Sequence, residues 1–103
     1  MKILQKIKSL FNYHLMLPAA AALSRNDLVS AERYLERVKS DACLPEYNNA
    51  MGVLLLMKGE YESSEKYLKA AEQSGLDAAK GNLEELAKKK ANAAEIKRRN
   101  KSE

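Results

Sequence analysis

An all-α fold of about five to six helices, built from antiparallel helix–turn–helix repeats, is what this 103-residue sequence predicts. Three observations carry that prediction. The composition is 46% hydrophobic and 31% charged, with only four glycines and two prolines, as suits a helix-forming chain. No segment alternates apolar and polar residues strictly enough to read as a strand. Finally, "RNDLVSAERYLERVKSD" (Arg25 to Asp41) is echoed by "KGEYESSEKYLKAAEQSG" (Lys58 to Gly75). Asn26 aligns with Gly59, Leu28 with Tyr61, Ala31 with Ser64, Tyr34 with Tyr67, Leu35 with Leu68 and Val38 with Ala71, every pair separated by the same interval. A unit that recurs at a fixed period of this length marks a stacked array, because one helix pair cannot bury its apolar stripe alone.

The elements follow in order. Ile3, Leu4, Ile7, Leu10 and Phe11 share one helical face, with Lys2, Lys6 and Lys8 elsewhere, so residues 1–11 read as an N-terminal amphipathic helix. A second helix is expected over about Leu15 to Arg25. There Pro18 either starts the helix at its first turn, where proline is tolerated, or kinks it, and Ala19–Ala22 suit close helix approach. Asn26 is placed for a positive φ at the helix end and Asp27 to cap a third helix reaching about Ser40. Pro45 opens a fourth helix, about Glu46 to Lys58, whose "AMGVLLLM" core is apolar on most sides and should be enclosed by neighbours. Gly59 turns the chain into a fifth helix, about Tyr61 to Ser74, stopped by Gly75. A sixth opens near Asp77, with Ala79, Leu83, Leu86 and Ala87 on one face; beyond Lys90 the apolar spacing thins to a polar helix extension or a frayed tail.

The net charge of +4 conceals a division. Residues 12–87 carry eight Lys/Arg against twelve Asp/Glu, whereas seven basic residues crowd between Lys88 and Lys101. A mildly acidic body with basic ends is not the footprint of a nucleic-acid-binding face. The single Cys43 excludes an internal disulfide and fits packing in a reducing compartment. The N-terminus lacks the uninterrupted apolar core of a signal peptide, since His14 and Pro18 break it, and no run is long enough for a transmembrane helix. The reading is a soluble chain, cytoplasmic in preference, with a periplasmic, cell-envelope setting the alternative if it is part of a larger protein.

The residues Asn49, Met51, Gly52, Gly59, Tyr61, Ser64, Tyr67, Leu68 and Ala71, at this spacing, closely resemble the tetratricopeptide repeat. The resemblance implies an α–α superhelix: a degenerate unit over residues 12–44, a better unit over 45–78, and a capping helix with a basic tail over 79–103. It departs from the family pattern at Asn48, where a large apolar residue is usual, and at Leu76, where proline is. In this family Gly52, Ser64 and Ala71 would keep the helix crossing tight, while Tyr67 and Leu68 would fill the space toward the next unit. The run from Tyr47 to Leu86 is also similar to repeats at the ends of larger bacterial envelope proteins.

Function in such arrays means protein–protein interaction on the face made by the first helix of each unit. By register that face would be Met16, Ala20 and Leu23 from the first unit and Glu46, Asn49, Val53, Leu56 and Met57 from the second. It lacks the Lys/Asn/Arg set that clamps a C-terminal carboxylate in chaperone-binding members, so an apolar or helical segment is the expected ligand. That segment would come from another protein or from a second copy in a homodimer.

No catalytic constellation emerges, and no enzyme activity, cofactor or metal is expected. Glu84 and Glu85 are adjacent and diverge by roughly 100° around a helix. Ser63 and Ser64 lie in a different unit from the only histidine, His14, and no Cys or His spacing suits a metal. The rival function is a polyanion contact, with membrane phosphates or nucleic acid, through "KKKANAAEIKRRNKSE". The competing view of that tail is a solubilising helix end without aromatic residues to stack on bases.

Overall fold

The computed structural model describes residues 16–38 and 45–101. Among the described residues there are five helices and no strand: α1 over 16–24, α2 (Leu28–Val38), α3 (Pro45–Lys58), α4 (Tyr61–Gln73) and α5 (Ala78–Lys101). The all-α prediction holds, and the helix ends expected at about Arg25, Lys58, Tyr61, Ser74 and Asp77 are met to within a residue, while those expected at Leu15 and Ser40 lie outside the described residues. The expected helix at 1–11, His14 and Cys43 lie outside the described residues.

The turns follow from a few residues. Asn26 adopts φ 63° and Gly59 φ 83°, left-handed conformations that end α1 and α3. In each turn the next two amides reach back to carbonyls the helix would otherwise leave unpaired. Asn26 N–H donates to Leu23 at 3.0 Å and Asp27 N–H to Ala22 at 2.8 Å. At the second turn Gly59 N–H donates to Leu56 at 3.1 Å and Glu60 N–H to Leu55 at 2.9 Å. These are Schellman pairs, and every donor and acceptor of the first recurs one full period later, at the interval that separates Asn26 from Gly59. Gly75 and Leu76 repeat the pattern at the end of α4, donating to Glu72 and Ala71. Asp27 caps α2 as expected, its Oδ1 accepting the Ser30 N–H at 3.2 Å. The Ser30 side chain and then its backbone N–H, both hydrogen-bonded to it, hold the Asp27 carboxyl below its ordinary pKa.

Packing centres on α3. Its residues Tyr47, Ala50, Gly52 and Leu54 are buried, because α2, α4 and α5 all pack against it. A cluster of Met16, Ala19, Ala22 and Leu23 from α1, Ala31, Leu35 and Val38 from α2, and Tyr47, Ala50 and Leu54 from α3 forms the main core. The α3–α4 crossing is tighter. A Cβ on Gly52 would lie 2.4 Å from Leu68 Cδ2, so only glycine admits that leucine without displacement. Beside it the buried Ser64 hydroxyl donates to the Gly52 carbonyl at 2.6 Å. Leu68 therefore fills a notch within its own helix pair. Tyr67 likewise turns inward, its ring edge-on to Tyr47 with centroids 6.4 Å apart.

Helix α5 lies along α4 and touches α3. Ala79 and Leu86 are buried and Leu83 is half-buried, but Ala87, expected on the same face, is exposed. Helix continues to Lys101, so the polar stretch beyond Lys90 is regular structure. Its basic side chains find carboxylates along the way: Lys90 bonds to Glu65 of α4, and Arg98 and Arg99 to Glu95 at 2.8 and 3.4 Å.

Candidate functional site

The first helices of the two hairpins, α1 and α3, border an open groove of about 420 Å³ that is closed at one end by the start of α5. Six residues expected on the binding face meet there: Met16, Ala20 and Leu23 from α1, and Glu46, Asn49 and Val53 from α3. Their spacing explains the convergence. Positions 16, 20 and 23, like 46, 49, 50 and 53, fall on one stripe of their helix.

Leu56 and Met57 do not join them. They border a separate depression at the far end of α3, with Asn26, Gly59, Tyr61 and, from α5, Glu85 and Lys89. Both lie one turn beyond Val53 on the same stripe, which is thus shared between two depressions, each bordered in part by α5. Register describes one helix and does not show where α5 brings Glu85 and Lys89 beside Leu56 and Met57.

The groove also contains residues the sequence reading missed: Leu17, Ala50, Leu76 and Ala78. Leu17 is 61% exposed and stands at the groove rim. Leu76 follows Gly75 and is turned toward the groove by the Schellman turn, a placement its role as the residue in a proline slot did not suggest. Ala50 is one helical turn from Glu46 and was visible as an i+4 neighbour.

The floor is apolar, with few polar groups. Glu46 contributes a carboxylate at the rim. Asn49 lies in the groove lining as expected, and its Oδ1 accepts the Asn82 Nδ2–H at 2.8 Å, fixing α5 to α3. Nothing in this lining couples a nucleophile to a base. Among the described residues there is also no group of three or more His, Cys, Asp or Glu arranged to hold a metal ion. No helix among them is long and apolar enough to cross a membrane.

On a different stripe of α3 lies a smaller cavity of about 280 Å³, between α2, α3 and α4. Its lining combines Glu32 and Glu36 of α2 with Tyr47, Met51 and Lys58 of α3 and Tyr67 of α4. Lys58 bonds to Glu32 at 3.4 Å. Burial raises the Tyr47 phenol above its ordinary pKa, with a smaller push in the same direction from Tyr67, so its hydroxyl stays protonated.

Compared with protein-family models, curated proteins and solved structures, the chain gives no match.

Proposed function

We propose that this chain is a non-catalytic protein-interaction scaffold of the tetratricopeptide kind, which takes an apolar or helical segment of another protein into the α1–α3 groove. The observation that carries this reading is the groove itself. Ten residues from two helices and the start of a third converge on one open, largely apolar channel of about 420 Å³. Such a channel suits an amphipathic helix presenting anchors at i, i+3/i+4 and i+7. The recurrence of the turn hydrogen bonds at the sequence period supports the repeat reading. The absence of a reactive pair in the lining makes binding the better-supported role.

The test is fluorescence anisotropy with a panel of synthetic amphipathic helical peptides carrying Leu or Phe anchors. Binding should saturate, change little between about 50 and 200 mM salt, and fall at least about tenfold in Val53→Asp and Leu23→Asp. Val53 is half-buried, so its variant should keep its helical circular dichroism. If affinity instead collapsed with salt and ignored both substitutions, the basic end of α5 would be the binding element and the groove reading would be wrong.

A further inference from the structure

We propose that the cavity between α2, α3 and α4 binds a primary alkylammonium, the end of a lysine side chain or of a free aliphatic amine.

A comparison within the chain shows what is missing there. Glu65 of α4 is braced by two ammonium groups, Lys69 one turn along the same helix at 2.8 Å and Lys90 from α5. One period earlier stands Glu32 of α2, which bonds in the same way to Lys58 of the following helix. Where Lys69 should recur, however, the sequence has Glu36. The cavity therefore has two carboxylates and one lysine, where the equivalent place in α4 has one carboxylate and two lysines. Glu36 makes no ion pair among the described residues. One ammonium would restore the balance.

The cavity also has a polar atom waiting for a partner. Tyr47 is only 5% exposed, and its hydroxyl has no hydrogen-bond partner among the described residues. No polar side-chain atom among those residues is sealed from solvent without a partner, so this hydroxyl keeps some exposure, and the cavity is an opening that Tyr47 lines. Glu32, Glu36 and Tyr47 supply three oxygen acceptors, as many as an ammonium has N–H donors. The edge-on Tyr47–Tyr67 pair adds aromatic surface of the sort that attracts cations. Met51 and the leucines beside it would cover an alkyl stem. At about 280 Å³ the space is small for a drug-sized ligand and suits one side chain.

The experiment is NMR of the full chain labelled with ¹³C-tyrosine, Tyr47 being assigned from Tyr47→Phe. n-Butylammonium chloride and a capped Gly-Gly-Lys-Gly-Gly peptide are the ligands, with n-butanol and the Nε-acetylated peptide as neutral counterparts. Saturable shifts of the Tyr47 and Tyr67 signals are expected with both charged ligands and with neither neutral one. Glu36→Gln should weaken binding about two- to fivefold, the range for one exposed charge pair. Glu36→Lys, which places an ammonium where Lys69 stands in α4, should abolish it, and Lys58→Gln should strengthen it. Glu36 is exposed, so these variants should fold, which circular dichroism checks. If the peptide binds more tightly than butylammonium, the source is a protein-borne lysine; equal affinity points to a free amine, with the ammonium chemistry upheld either way. Equal shifts from n-butanol, or Glu36→Lys binding as well as the wild type, would overturn the proposal.

Discussion

The α1–α2 and α3–α4 hairpins share a turn but not a crossing. Their turn amides bond to equivalent carbonyls one period apart, although one turn uses Asn26 and the other Gly59. At the crossing the first hairpin places Ala19 and Ala31, both fully buried, where the second places Gly52 and Ser64. The contrast separates two demands. A helix stop needs a left-handed residue, which either Asn or Gly supplies, whereas the tight α3–α4 contact needs an absent Cβ and a hydroxyl bonded to the Gly52 carbonyl. Turn geometry tolerates substitution; the notch does not.

The largest break should come at that notch. Leu68→Ala empties a fully buried position and should cost about 2–5 kcal/mol, as should Leu35→Ala at the matching place in α2. The hairpins then part. Gly52→Ala should cost about 1–3 kcal/mol by overpacking against Leu68, despite the roughly 1 kcal/mol that alanine gains in helix propensity. In the first hairpin the opposite exchange, Ala19→Gly, should cost about 1–2 kcal/mol, through lost helix propensity together with the loss of one buried methyl. Combining Gly52→Ala with Leu68→Ala should be clearly less damaging than the sum, because the new methyl enters the space the leucine leaves. Urea denaturation of the six proteins measures all of this, and additive losses would mean that Gly52 and Leu68 are not in contact.

A smaller difference should appear at the turns. Gly59→Ala forces a Cβ into a left-handed backbone and should cost about 1–2 kcal/mol. Asn26→Gly relieves a milder strain but loosens the unfolded chain, and should fall within about 0.5 kcal/mol of neutral. For a chain of this size, 1 kcal/mol moves Tm by about 4–8 °C, so thermal melts resolve the first effect and bound the second.

How far the sequence revealed this structure depends on whether the signal was local. The helix stops were legible because Asn26, Gly59 and Gly75 are turn residues at the ends of apolar stripes. The role of Gly52 could be anticipated because an interior helix glycine calls for a close neighbour. The α1–α3 groove was legible from register, since residues three and four apart share a face. What escaped involved α5. Asn49 and Asn82 are ordinary polar residues, and nothing in either marks a bond between positions so far apart in the chain. Leu56 and Met57 looked like a continuation of the groove because periodicity describes one helix and not where α5 packs beside it. The contacts of Leu68 with Gly52 and of Tyr67 with Tyr47 were not legible for a related reason: the second helix's apolar face can serve its own hairpin or the next, and spacing alone does not choose.

The smallest effect tests the ionic difference between the hairpins. Lys69 and Lys90 hold the Glu65 carboxyl down to about 2, from an ordinary value of 4.5. A carboxylate depressed by folding contributes stability that is fully present above its unfolded pKa and is lost as pH falls toward its folded one. Glu65→Gln should therefore lower Tm at pH 7, where the wild type is fully ionised in both states. The gap between the two proteins should narrow from about pH 4.5 downward and close near pH 2. Glu32→Gln, which removes one lysine contact at 3.4 Å instead of two, should lower Tm less at pH 7. Both losses should shrink in high salt, since every partner is partly exposed. A Glu65→Gln gap unchanged from pH 7 to pH 2 would show that the ionisation of Glu65 contributes nothing to stability. In that case the charge difference between Glu36 and Lys69 would leave stability untouched and matter only for what the α2 cavity attracts.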